Sequence, residues 1–327
     1  MIEPAAQRRP RIGISRCLLG DDVRFDGGHK RDPFLKETMG RFVEWVAVCP
    51  EVEVGMGIPR EAIQLVSAPS GVPSGAERVR LLGVRSGTDW THPMGRYARR
   101  RVRELAVMEL SGYVLKKDSP SCGMERVRVY HDGERTRTGR GLFAEALLTA
   151  LPNLPVEEEG RIHDPRLREN FIERVFAYQR VRAFFSGRWT AGALVRFHTA
   201  HKLQLLAHSR AGYTELGRLV ADVKSWRPGE MALRYEQLFM QALARMATPS
   251  KHADVMMHMI GHLKRLIDAE DRDELLTSVE AYRLGELPLI VPITLLRHHV
   301  RRHAVEYLHA QTYLDPHPRE LALRNHV

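Results

Sequence analysis

The chain has 327 residues, of which 43% are hydrophobic and 28% charged, and carries a net charge of +10 at pH 7. No apolar run approaches the ~20 residues a membrane span needs, and the stretch from Met1 to Pro10 has no apolar core of the secretory kind. A cytoplasmic, reducing setting is expected, in which three cysteines do not form a disulfide framework. The basic excess is spread over both halves, which fits a polyanionic partner such as RNA or plain solubility charge.

In chain order, residues 11–15 predict a strand that ends just before Cys17. A polar, Gly-rich loop follows from Asp21 to Lys30, then a short helix from Pro33 to Met39. Phe42 to Val48 predicts a second strand, cut off by Cys49-Pro50-Glu51. Strands are predicted from Ala62 to Ser67 and from Val79 to Val84, with a Pro/Ser/Gly loop, Pro69 to Gly75, between them. Asp89 or Thr91 is placed to cap a long helix reaching about Leu110. Its Arg96, Arg100 and Arg103 form a basic face that is either solvated or in contact with phosphate.

Gly112 to Lys116 predicts a further strand, leading into Ser119-Pro120-Ser121-Cys122-Gly123. Val127 to Tyr130 reads as β, with a turn at His131-Asp132-Gly133, and Leu142 to Leu151 as a helix. Alternating strands and helices predict an α/β domain with a mostly parallel sheet over residues 1–160. The segment Pro152 to Gly160, with its acidic run Glu157-Glu158-Glu159, is read as completing that sheet before the linker. From His163-Asp164-Pro165 onward the apolar period is helical nearly throughout, so residues 161–327 predict an all-α domain.

All three cysteines follow strand-like runs. Ligands of an open parallel sheet bind at the carboxyl ends of its strands. If the three runs are parallel neighbours, Cys17, Cys49 and Cys122 meet in one crevice. Three thiolates then admit two metals. Zinc would be closed by a histidine, with His29 as candidate, whereas a [4Fe–4S] cluster would keep one iron open. Buried cysteines acting as small hydrophobes are the alternative.

Several short motifs carry a family resemblance. Arg16-Cys17-Leu18-Leu19-Gly20 with Val23 to Gly27, Cys49-Pro50-Glu51 with Gly55 to Arg60, and Ser119 to Gly123 together resemble the DUF523 family, which includes thiouracil desulfidases. The resemblance spans about residues 10–155. It implies a [4Fe–4S] cluster on Cys17, Cys49 and Cys122, with catalytic polar groups at Glu51, Ser121 and Asp26. The implied reaction is non-redox desulfuration of a thiolated uracil (the base, a nucleotide or thiolated tRNA) to uracil and sulfide. Replacing C=S by C=O needs a soft Lewis acid for sulfur and a base for water, and Glu51 beside Cys49 suits the base. Burial near an anionic cluster is expected to raise the Glu51 pKa.

The second half offers His198, His201 and His208, the pair His258 and His262, and the basic turn Arg297 to His303. Without a completing carboxylate or cysteine nearby in sequence, these histidines are expected to be surface or satisfied core residues. Phe197-His198 with His201-Lys202-Leu203 and His208, His258 to His262, and Gly285 to Leu289 with Val291-Pro292 resemble the DUF1722 family over about residues 185–315. That resemblance implies no settled activity; binding the RNA or nucleotide that carries the thiobase is the role expected of it. A tRNA-binding protein with a structural metal is the competing reading, and the oligomeric state stays open.

Overall fold

The computed structural model describes residues 9–67, 79–131 and 134–326. The expected loop from Pro69 to Gly75, and Asp132-Gly133 of the expected turn, lie outside the described residues. The chain divides into two units, Met1–Asp164 and Pro165–Val327.

In the first unit the strands are β1 (Arg11–Ser15), β2 (Glu44–Val48), β3 (Ile63–Ser67), β4 (Val79–Gly83), β5 (Gly112–Leu115), β6 (Val127–His131), β7 (Glu134–Gly139) and β8 (Val156–Glu158). The helices are α1 (Pro50–Glu53), α2 (Thr91–Val107), α3 (Leu142–Ala150) and α4 (Glu159–Ile162). One sheet has the order β2-β1-β5-β8 and is parallel throughout. Its inner strands are buried from Ile12 to Ser15 and from Gly112 to Leu115, because both faces are covered. On one face Phe143 of α3 sits 5.9 Å from Tyr113 of β5 and 6.3 Å from Tyr97 of α2, between ring centroids. Gly13 is required there: a Cβ on it would lie 2.1 Å from the Tyr113 ring.

The second sheet departs from expectation. Its order is β4-β3-β6-β7, with only β3–β6 parallel. Strands β3 and β4, consecutive in the chain, pair antiparallel, Leu65 opposite Leu81. Strand β7 is absent from the sequence reading because Glu-Arg-Thr-Arg-Thr-Gly has no apolar residue; it is an exposed edge strand. The N-cap of α2 is Trp90, without a side-chain cap bond, rather than Asp89 or Thr91; Asp89 stands one residue before it and accepts from the Thr91 N–H at 2.9 Å and the Thr91 hydroxyl at 2.5 Å. These bonds pull its carboxyl down to about 2. The segment after Pro33 is a turn of wide π-helix, Phe34–Thr38.

The second unit is helical: α5 (Pro165–Ser186), α6 (Ala191–Ala200), α7 (Lys202–His208), α8 (Arg210–Ala221), α9 (Pro228–Leu243), α10 (Pro249–Leu263), α11 (Ala269–Leu284), α12 (Ile290–Arg302) and α13 (Glu306–His309). Thr190, Ser209, Thr248 and Asp268 each cap a helix through the side chain, which is why the boundaries fall there. Met256, Met259, Leu275, Ile293, Leu296 and Tyr313 are fully buried in its core. The basic turn expected at Arg297 to His303 is only half solvated. Arg297 and His299 are buried, because α12 turns Ile293, Leu296 and Val300 into the core on the same side. Arg297 donates to the Leu314 carbonyl and pairs with Asp315 at 3.0 Å.

No helix among the described residues is long and apolar enough to cross a membrane.

Candidate active site

The three cysteines leave three adjacent parallel strands at the same end. Ser15 and Val48 are partners at the ends of β1 and β2, and Ile14 and Val114 are partners in β1 and β5. Cys17 therefore stands two residues past β1, Cys49 one residue past β2, and Cys122 in the loop after β5. All three line one cavity of about 460 Å³, together with Glu51, Arg60 and Ser121.

Each sulfur is fixed by local chemistry. After β1 the chain tightens into a 3-10 turn, Arg16–Leu19, ended by Gly20 at φ 95°. The Cys17 carbonyl accepts from the Lys30 N–H at 2.9 Å. Cys49 is the N-cap of α1, with Pro50 in the first turn, and its N–H donates to Glu53 Oε1 at 3.1 Å. The Cys122 loop is held by the Ser119 hydroxyl, which accepts from the Cys122 N–H at 3.1 Å, and by the Phe143 N–H, which donates to the Ser121 carbonyl at 3.0 Å. Gly141 abuts that loop so closely that a Cβ would sit 2.4 Å from the Ser121 carbonyl oxygen. Burial pushes the Cys17 thiol up to about 12, with Cys49 nearby adding to it. Burial likewise raises Cys49, and raises Cys122 with Glu51 as the next cause. As isolated thiols these groups hold their protons; a bound metal is what favours the thiolate.

Glu51 is the centre of the polar wall. Ser121 Oγ donates to Glu51 Oε1 at 2.6 Å, and the Ser119 hydroxyl stands 3.0 Å from that of Ser121. Ser121 Oγ also lies 3.6 Å from Cys122 Sγ. On the other oxygen, Arg60 donates to Glu51 Oε2 through Nη2 at 2.5 Å and Nε at 3.1 Å. Arg60 Nη2 donates further to the Val23 carbonyl at 3.0 Å, and Nη1 to the Gly57 carbonyl at 3.0 Å. The Arg60 side chain is 5% exposed and that of Glu51 14%.

Asp26 and His29 are not brought to the sulfurs. Asp26 is exposed; it accepts from the Gly28 N–H at 3.1 Å and faces Arg24 at 3.6 Å, and this turn holds its carboxyl below the usual range. His29 is exposed and accepts from the Arg31 N–H at 3.1 Å. His29 does not line the cavity that the three cysteines share. Among the described residues no three His, Cys, Asp or Glu side chains form a group that could hold one metal ion.

The sequence reading gave no role to Arg60, although it ends the glycine segment from Gly55. It also missed the pairing of the acidic run. Glu159 binds Lys116 Nζ at 2.5 Å and accepts from the Lys117 N–H at 2.7 Å, so β8 and α4 brace the β5 end of the cavity.

Residues 12–159 match the 2-thiouracil desulfurase family, and residues 202–318 match DUF1722, a family of unknown function. The first unit belongs to the 2-thiouracil desulfurase family and the second to DUF1722. Curated relatives include the uncharacterized protein YbgA of Escherichia coli (strain K12), 32% identical over 49% of this chain and 95% of YbgA. The uncharacterized protein YbbK of Bacillus subtilis (strain 168) is 26% identical over 42% of this chain and 90% of YbbK. Among solved structures, the [4Fe-4S]-dependent thiouracil desulfidase TudS is similar, with 26% identity, a TM-score of 0.36, and coverage of 47% of this chain and 94% of that one.

Proposed function

We propose that this desulfurase-family chain removes sulfur from a thiolated uracil without net redox change, the thiocarbonyl and water giving the carbonyl and hydrogen sulfide. The observation that carries the reading is the Ser121–Glu51 hydrogen bond on a cavity wall shared with three cysteines. The donor set fits a [4Fe–4S] cluster on Cys17, Cys49 and Cys122: three soft sulfurs line one cavity, and among the described residues that line it there is no histidine. Such a cluster supplies a soft Lewis acid for the thiocarbonyl sulfur.

The rest falls to the chain's own side chains. Glu51 Oε1 takes the proton of the attacking water, directly or through the Ser121 hydroxyl. The same pair returns a proton to the departing sulfur. Arg60 holds Oε2, so that Oε1 keeps its aim at Ser121. Asp26 acts outside the cavity, where it steadies Arg24, a residue of the cavity mouth. The substrate is a thiolated uracil base or nucleotide, or thiolated tRNA, met in the reducing cytoplasm.

The test is anaerobic turnover of 2-thiouracil, 4-thiouracil, their nucleotides and thiolated tRNA by cluster-reconstituted protein, followed by loss of thiocarbonyl absorbance. Cys17→Ala is expected to lose both cluster absorbance and turnover, and Glu51→Ala turnover alone. Failure on every substrate with the cluster intact would overturn the reading. The competing reading, a tRNA binder with a structural metal, gains no support from His29, which does not line the cavity of the cysteines.

A further inference from the structure

The cavity of the three sulfurs is lined by the second sheet as well as by the first. Gln64 of β3 stands on its wall, with Arg128 and Tyr130 of β6. Strand β3 lies inside its sheet and is paired on both sides, Gln64 opposite Leu82 on β4 and Leu65 beside Val129 on β6. Side chains alternate along a strand. Leu65 is fully buried, so its neighbour Gln64 turns to the other face, that of the cavity.

Several polar side chains of this wall already have partners. Glu51 is held by Arg60 and Ser121, Lys116 by Glu159, and Arg16 by Asp21 at 2.6 Å. Gln64 is different. It is half-buried and is the one carboxamide among the described residues of the lining. Neither end of its side chain makes a hydrogen bond among the described residues. A carboxamide holds a donor and an acceptor side by side in one plane. Ligand cavities fix orientation through a few such groups.

A thiolated uracil presents the opposite pattern. In 4-thiouracil the N3–H lies beside the C2 carbonyl, and in 2-thiouracil beside the C4 carbonyl. In both, N3 also adjoins the carbon that loses sulfur. An edge of one donor and one acceptor is therefore available next to the reacting carbon, whichever sulfur is removed.

We propose that Gln64 reads this imide edge and is the residue that selects uracil-type bases. Its Oε1 accepts from N3–H, and its Nε2 donates to the carbonyl oxygen that is not exchanged. The inference rests on the desulfuration reading above. The contact leaves N1, where a ribose is attached, untouched, so it serves base and nucleotide alike. It is also the same before and after sulfur departs. Such uniform binding shows in KM, whereas the proton transfers of Glu51 show in kcat.

The test uses cluster-reconstituted full-length protein: wild type, Gln64→Leu and Gln64→Glu, with iron content measured alongside. Rates are taken on 4-thiouracil and 3-methyl-4-thiouracil, and equilibrium binding of uracil and 3-methyluracil by calorimetry. Methylation at N3 removes the donor even if the amide turns over, which an amino analogue would not test. Wild type is expected to prefer the unmethylated ring roughly tenfold or more in both measurements, the worth of two hydrogen bonds. Gln64→Leu is expected to raise KM for 4-thiouracil by about that factor, with kcat and iron content held, and to lose most of the preference. If Gln64→Leu does not fold, Gln64→Glu keeps the shape, removes the donor and carries the same expectation of weakened uracil binding. A wild type indifferent to the methyl group, or a preference that survives in Gln64→Leu, would overturn the proposal and leave desulfuration standing. Uracil binding that depends on Gln64, without turnover of any thiolated substrate, would support the proposal and sink the desulfuration reading. Absence of both turnover and uracil binding would overturn both.

Discussion

Ser121 Oγ and Glu51 Oε1 are 2.6 Å apart although 70 residues separate them in the chain. The pair exists because β2 and β5 flank β1, so the residues just beyond both strands meet. Glu51→Gln keeps the shape of the side chain and removes the base. It is expected to lower kcat by about 10²- to 10⁴-fold, the usual yield of general acid–base catalysis. Ser121→Ala should cost less, because Ser119 stands 3.0 Å from the lost hydroxyl and can replace it in part. Steady-state rates with cluster content measured alongside separate these effects from cluster loss.

Arg60 acts through Glu51. Its removal leaves a largely buried carboxylate without its cation, which costs about 3 kcal/mol in comparable buried pairs. Arg60→Met should lower the unfolding midpoint and kcat while KM changes little. Arg60→Lys should restore the charge and only part of the rate, since the carboxylate clamp and both carbonyl contacts need a guanidinium. In a Glu51→Gln background, Arg60→Met should reduce kcat no further. Additive losses would show that Arg60 has a separate role.

Gly141→Ala tests the wall behind Cys122. The added methyl would meet the Ser121 carbonyl oxygen at 2.4 Å and the Cys122 nitrogen at 2.8 Å, and both are backbone atoms of the sulfur-bearing loop. Overpacking of this kind costs about 1–3 kcal/mol. The variant should bind less iron per chain on reconstitution and turn over in proportion; full iron content with normal turnover would mean that the loop yields.

The helical unit should be acid-labile. Burial pushes His201 and His252 down to about 3, and His198 and His317 down to about 4. Each binds a proton in the unfolded chain near pH 6.5 but not in the fold. Their stabilisation is complete above pH 6.5 and falls, by roughly 1.4 kcal/mol per pH unit for each, as pH drops towards 4 or 3. His208 is raised, with Glu173 offsetting the effect of burial, but that change acts only above pH 6.5. Glu169, raised to about 7 by burial, opposes the histidines as pH falls below 7. Four against one leaves a falling midpoint between pH 6.5 and 4.5 in thermal unfolding, and His252→Phe should flatten the slope. A midpoint that holds or rises would contradict the assignment of these histidines as buried and neutral.

The parallel order of the cysteine-bearing strands was readable because apolar runs followed by Cys report both burial and a strand end. The helical half was readable from its period. What escaped had no local signal. Strand β7 lacks apolar residues, and β3 and β4 read alike whether they join the first sheet or form another. Arg60 looked like any charged loop residue until folding placed it against Glu51. Asp26, carried by its motif position, lies exposed in a turn, where it accepts from the Gly28 N–H and faces Arg24. The burial of Arg297, on a basic turn that fitted a solvated or phosphate-touching face, depends on a distant segment, where Leu314 supplies a carbonyl and Asp315 a carboxylate.

The spread of the three sulfurs along the chain sets an order of events in the cell. Cys17 and Cys49 leave the ribosome long before Cys122, and only strand pairing brings the last sulfur to the first two. If the proposed cluster is bound, the three sulfurs could take it together only once the parallel strands have paired, so a delivery partner would have to present it to a folded pocket.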